Sequence, residues 1–189
     1  MLGHDHALSG ALAFVAVAPL LPVSGTQLAV AATLTAGAGI LPDLDEPGST
    51  IARTFGFLTG AFAWIVHQLS GGHRKGTHSL FGIALAALVL WKGWDLVEVT
   101  PWHVPVLAVS VALGTLAHVA GDMLTHDGCP LLYPVSRYEF GLLPEPVRIT
   151  TNKLAERWVI SPLLLAGLAY FVYRDAAPAL TTAASGGWP

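Results

Sequence analysis

The chain has one cysteine, Cys129, in 189 residues. A single thiol excludes an intrachain disulfide and any zinc site built on several cysteines. Beside Pro130, Cys129 reads as a small packing residue. Charge is scarce too. Asp, Glu, Lys and Arg make up 11% of the chain, where a soluble domain carries about 25%. The net charge of -3 leaves no basic footprint for nucleic acid, so none is expected as a partner. The first six residues, Met-Leu-Gly-His-Asp-His, hold no Lys or Arg. The apolar run after them is therefore expected to be a retained helix, not a cleaved signal.

Hydrocarbon is what the chain has in quantity. Hydrophobic residues form 53% of it, and the mean hydropathy is +0.61. Such a surface needs a second solvent, and lipid is the natural one. Five apolar runs read as helices: residues 7–23, 28–41, 80–94, 104–124 and 158–173. At about 14–17 residues, most sit at the lower limit for crossing a bilayer. Residues 51–69 differ. Ile51, Phe55, Leu58, Phe62, Ile65 and Leu69 recur near helical period, opposite Arg53, Gly56, Thr59, Gly60, Ala63 and His67. That pattern predicts an amphipathic helix lying in the interface. Trp91, Trp94 and Trp102, with His103 beside them, read as an aromatic belt. The expected fold is all-α, a membrane helical bundle of about five apolar helices plus the interfacial one. Residues 1–175 form a single domain, and 176–189 a disordered tail.

Histidine is the other abundant residue, eight against nine Lys plus Arg. Burying an imidazole without a partner costs a few kcal/mol, so ionisable side chains at a membrane are functional candidates. Residues 72–79, Gly-His-Arg-Lys-Gly-Thr-His-Ser, place two histidines, two cations and two hydroxyls at the mouth of an apolar helix. Residues 41–48 crowd Asp43, Asp45 and Glu46 beside a helix end. On the fourth apolar helix, spacings of four and three put His118, Asp122 and Thr125 on one face.

Five crossing helices bring these motifs to one side. Arg53, Arg74, Lys75, Arg137, Arg148, Lys153 and Arg157 fall there, against Lys92 and Arg174 opposite. The positive-inside rule makes the richer side cytoplasmic in a multi-pass inner-membrane protein. Seven of the eight histidines share it, which points to one assembled polar site. Imidazole and carboxylate without thiolate suit Zn²⁺ best, with Mn²⁺ or Fe²⁺ as alternatives to it, rather than Ca²⁺. The donor count allows two ions, or one ion with a separate base. A metal lowers the pKa of water to about 7, and a spare Asp acts as general base. Arg74, Lys75 and Arg137 are candidates to neutralise an anionic oxygen such as a phosphate.

These motifs carry a resemblance. Leu-Pro-Asp-Leu-Asp at 41–45, His-Arg-Lys-Gly-Thr-His-Ser at 73–79, and His118-x3-Asp122-x2-Thr125 followed by Gly-Cys-Pro-Leu-Leu-Tyr-Pro-x-Ser at 128–136 resemble the YdjM-like family. Its members are described as inner-membrane, metal-dependent hydrolases, some called LexA-regulated. The resemblance runs from about His6 to Pro162. It implies His6, Asp43, His73, His78, His118 and Asp122 as metal ligands, with Asp45 a ligand or a supporting carboxylate. His4 and His126 flank matched positions. The His-x3-Asp helix is also similar to that of zinc-dependent phospholipase C enzymes.

Together these features predict a membrane-bound hydrolase acting on an ester or phosphoester, small or lipid, with membrane lipid as a partner. Asp122 or Asp45 is its expected base. The alternative is a metal-binding membrane protein without catalysis, a transporter or sensor. Four of the five apolar helices carry almost no polar residues at mid-depth, which weighs against a permeation path.

Overall fold

The computed structural model describes residues 1–23, 25–97 and 104–184. Trp102 and His103, read above as part of an aromatic belt, lie outside them. The described residues form seven α-helices and no strand. The helices are α1 (Gly3–Val17), α2 (Gly25–Ala38), α3 (Thr50–Arg53), α4 (Phe57–Ser70), α5 (Leu80–Val97), α6 (Val104–Asp122) and α7 (Ser161–Ala184). The all-α bundle expected from the sequence is the fold observed.

α1, α2 and α6 pack against one another, with α5 against α6 and α7 against α1. Small residues permit this. A Cβ at Gly10 would meet the Thr35 carbonyl oxygen at 2.6 Å, and one at Gly114 would strike the same oxygen from α6. Three backbones thus meet around Thr35, the close approach that small residues allow between membrane helices. Phe14, Ala18, Ala31 and Val106 form the apolar cluster beyond it.

The boundaries differ from expectation in physical detail. α1 begins at Gly3 and takes His4, Asp5 and His6 into its first turns, where an acidic residue suits the positive end of the helix dipole. The expected 51–69 helix is two pieces. Gly56, at φ 59°, breaks it between α3 and α4, a conformation that favours glycine. α7 is entered through a π-helical turn at Glu156–Ile160. It runs to Ala184, well into the stretch expected to be a disordered tail, because Ala-rich sequence favours helix.

The outer surface is apolar. On α4 the large side chains point outward, Phe57 at 86% and Leu69 at 84% exposure, while Ala63 is buried. Trp64, Phe81, Leu88, Leu163 and Tyr170 are exposed on other faces. Lipid covers such a surface at no desolvation cost. Gly25–Asp45 is long and apolar enough to cross a membrane. Leu80–Gly93 and Val106–Asp122 are apolar but shorter. α4, at 14 residues, is about 21 Å long, too short to span.

Residues 125–157 form an irregular cap over one end. Cys129 and Phe140 exchange backbone hydrogen bonds, and Leu131 accepts from the Leu80 N–H. Cys129 is fully buried. Burial pushes its thiol up to about 12, so it is an inert packing group.

Candidate metal centre

Beneath this cap the bundle is polar inside. Its fully buried side chains include His6, His78, His118, Asp5, Asp45 and Asp122. Alternating helix direction brings them together. The N-terminal turns of α1 supply His6. The Pro42–Asp45 turn after α2 supplies Asp43 and Asp45, the loop before α5 supplies His73 and His78, and the last turn of α6 supplies His118 and Asp122.

Donor atoms of His6, His118 and Asp122 lie within 4.8 Å of one another, and so do those of Asp43, His78 and His118. His118 belongs to both groups. His6 Nε2 is 3.3 Å from Asp122 Oδ1. His78 Nε2 and His118 Nε2 are 3.6 and 3.7 Å from Asp122 Oδ2. His118 Nε2 is 3.6 Å from Asp43 Oδ1. The His6 and His118 rings stack with centroids 3.6 Å apart.

Hydrogen bonding fixes which nitrogen faces the centre. His118 Nδ1 lies 2.7 Å from the Gly39 carbonyl oxygen. A carbonyl only accepts, so Nδ1 carries the proton and Nε2 the lone pair. Thr77 Oγ1 donates its proton to Asp45 Oδ2 in a very short bond. It therefore accepts from His78 Nδ1, 2.9 Å away, and His78 Nε2 is left with its lone pair. These two Nε2 atoms stand 3.0 Å apart. Two lone pairs at that distance repel unless a proton or a metal ion lies between them. Burial alone would lower the His78 imidazole, but the Asp122 and Asp45 carboxylates, 3.6 and 3.5 Å away, outweigh it and hold it above its ordinary value. In the absence of metal, His78 is thus where a proton takes the cation's place.

Other buried atoms share the deficit. His6 Nδ1 and Asp122 Oδ2 have no hydrogen-bond partner. Arg74 Nη2, 3.1 Å from Asp122 Oδ2, is a charge contact misaligned for a hydrogen bond. Fully buried carboxylates and imidazoles left in this state fit a cation. The donor set of His6, His78, His118, Asp43 and Asp122 fits a divalent metal of the zinc type.

Asp45 is different. It accepts from His73 Nδ1 at 2.7 Å, from the Arg74 N–H at 3.1 Å and from Thr77. His67 Nδ1 donates to its carbonyl oxygen at 2.7 Å. Asp45 thus orients the histidine loop and stands outside both donor groups. His73 also stands outside them. Its ring, 32% exposed, lines a cavity of about 510 Å³ together with Arg74, Lys75, Arg137, Tyr133 and Asp127.

Sequence reasoning missed three participants. Glu156 is buried and accepts the N–H groups of Leu2, at 2.6 Å, and Asn152, tying α1 to the entrance of α7. A lone carboxylate opening an apolar helix is the signal that pointed to it. Asp5 is buried, with His4 Nε2 3.3 Å from its Oδ1. Asp127 pairs with Arg74 at 2.8 Å.

The model of the YdjM inner membrane protein family matches residues 1–180. Over 129 residues the chain is 38% identical to inner membrane protein YdjM of Escherichia coli K12, and equally to that of Shigella flexneri. The match takes in 67% of this chain and spans 59% of each relative's length. No solved structure matches. The helical fold, the apolar surface and the motifs at 41–45, 73–79 and 118–125 now stand beside these matches: the chain belongs to the YdjM family of inner membrane proteins.

Proposed function

We propose that this protein is a membrane-bound, divalent-metal-dependent hydrolase of an ester or phosphoester. Its site lies at the cytoplasmic ends of a multi-pass bundle. The observation that carries this reading is the 3.0 Å approach of the His78 and His118 Nε2 atoms, which needs a cation or a proton between them because each ring's Nδ1 is already engaged, beside the unsatisfied Asp122 Oδ2. His6, His78, His118, Asp43 and Asp122 would hold the ion. Zinc is the first choice, with manganese or iron(II) able to use the same donors. Two overlapping groups allow one ion or two.

A bound ion supplies Lewis acidity, polarising the scissile oxygen and bringing a water's pKa to about 7. The chain's own part is proton handling and exclusion of solvent. Asp45 holds the His73 Nδ1 proton, which leaves His73 Nε2 to accept one at the cavity wall. Of the two bases expected from sequence, Asp45 thus acts through His73. Asp122 serves as a ligand instead, since its oxygens face His6, His78 and His118.

Burial favours a second reading. His6, His78, His118 and Asp122 are at most 1% exposed, which suits a bound metal that never meets substrate. Turnover of a phosphodiester and a carboxylester by zinc-loaded protein separates the two. Hydrolysis lost in His73→Gln with metal content retained supports the enzyme. Absence of turnover for either substrate in fully loaded protein supports the second reading.

A further inference from the structure

The cavity beside the candidate metal centre has three cations in its lining, and they are not equivalent. Arg74 is committed, with Nη1 2.8 Å from Asp127 and Nη2 3.1 Å from Asp122. Its backbone is held at φ 57°, a conformation costly for a residue with a side chain. The bond from its N–H to Asp45 fixes that turn. Lys75 and Arg137 make no ion pair or side-chain hydrogen bond among the described residues, and both line the same cavity.

The lining also holds Asp127 and Glu139. Three cations against two carboxylates leave one positive charge, on a chain whose net charge is -3. Asp127 is already matched by Arg74, so Glu139 is the one lining carboxylate left against Lys75 and Arg137. Tyr133 completes the wall. A Cβ on Gly71 would strike the Tyr133 hydroxyl, so that loop is shaped to receive the ring. The volume, about 510 Å³, is that of a small-ligand site. Val135 and Tyr138, neighbours in sequence of the lining residues Arg137 and Glu139, are exposed.

We infer that this cavity is a receptor for a singly charged phosphodiester, bound by Lys75 and Arg137, with Arg74 linking it to the metal centre. The inference rests on the hydrolase reading and names its substrate class. One negative charge matches the lining, where the two charges of a phosphomonoester would exceed it. Lys75 and Arg137 have no protein partner to give up, so a ligand gains charge-assisted hydrogen bonds with little competition. The phosphodiester could be a lipid headgroup or a soluble diester.

The test is binding, not turnover. Detergent-purified, zinc-loaded protein is titrated by calorimetry with diethyl phosphate and, separately, with micelles doped with a short-chain phosphatidylglycerol. Neutral triethyl phosphate is the control, and zinc content is measured in every sample. Lys75→Ala and Arg137→Ala should each weaken diester binding about tenfold, and the double variant more, with zinc content unchanged. Both positions are exposed, so the variants fold. Binding of diethyl phosphate identifies a soluble ligand. Binding of the doped micelle alone identifies a lipid headgroup, and either result supports the receptor if it depends on Lys75 and Arg137. Equal binding by the double variant, equal binding of triethyl phosphate, or no binding of either diester by the wild type overturns it. Diester binding that needs Lys75 and Arg137 in protein that takes up no zinc leaves the receptor standing and removes the hydrolase reading.

Discussion

Asp45 and Asp122 are both buried carboxylates at the same end of the bundle, yet their surroundings are opposites. Asp45 is saturated. His73, Thr77 and the Arg74 N–H all donate to it, and its own carbonyl takes the His67 proton. Asp122 faces three imidazoles whose Nε2 atoms lie 3.3–3.7 Å from it; its Oδ1 accepts from the Met1 ammonium at 2.6 Å, and its Oδ2 has no hydrogen bond. A saturated carboxylate is a finished piece of structure. One with a bare oxygen among three imidazoles is a site for a cation. The difference separates a supporting region, the Asp45 loop, from a binding region, the Asp122 cluster.

The largest effect should come from breaking the binding region. His118→Ala removes the donor common to both groups and should abolish metal uptake, measured as metal per protein after dialysis. Asp45→Asn should instead retain metal and weaken its affinity about 10–100-fold, the usual scale for a residue that orients ligands. If the two variants lose metal equally, the distinction between the carboxylates fails.

Much of the binding region was legible in the sequence. A helix fixes spacing, so His118 and Asp122 had to share a face. Alternating helix direction had to bring 41–45 and 73–79 to the same end. What sequence could not do was rank neighbours. Asp43 and Asp45 differ by two residues, and only the turn decides that Asp43 reaches His118 while Asp45 turns to His73. His73 was expected beside His78 as a ligand. The 3₁₀ turn at Gly76–His78 sends the two rings apart, T-shaped with centroids 5.5 Å from each other. The break at Gly56 was hidden because periodicity registers apolar faces, not backbone conformation.

Acidity gives the next effect. In metal-free protein the folded state holds His78 above its ordinary 6.5. Its contribution is therefore fully present below that value and lost as pH rises through the raised folded value. Metal reverses the sign, because the ion competes with that proton. Thermal unfolding across pH 5–8 should show metal-free protein losing stability toward high pH, and metal-loaded protein losing it toward low pH. Identical profiles would mean that no metal contacts His78.

The smallest effect lies outside both regions. Gly56→Ala places a side chain at φ 59°, ψ −128° and should cost about 1–3 kcal/mol, read as a lower unfolding temperature with metal content unchanged. Loss of metal in this variant would show that the break between α3 and α4 supports the centre.

The central claim is that a cation belongs among His6, His78, His118, Asp43 and Asp122. Elemental analysis of detergent-purified wild type beside Asp122→Asn, with circular dichroism to show that both are helical, tests it most directly. The wild type should carry one or two equivalents of a divalent metal, and the folded variant far less. Wild-type protein that stays metal-free after incubation with zinc, manganese and iron(II), or a folded variant that binds as much as the wild type, would contradict it.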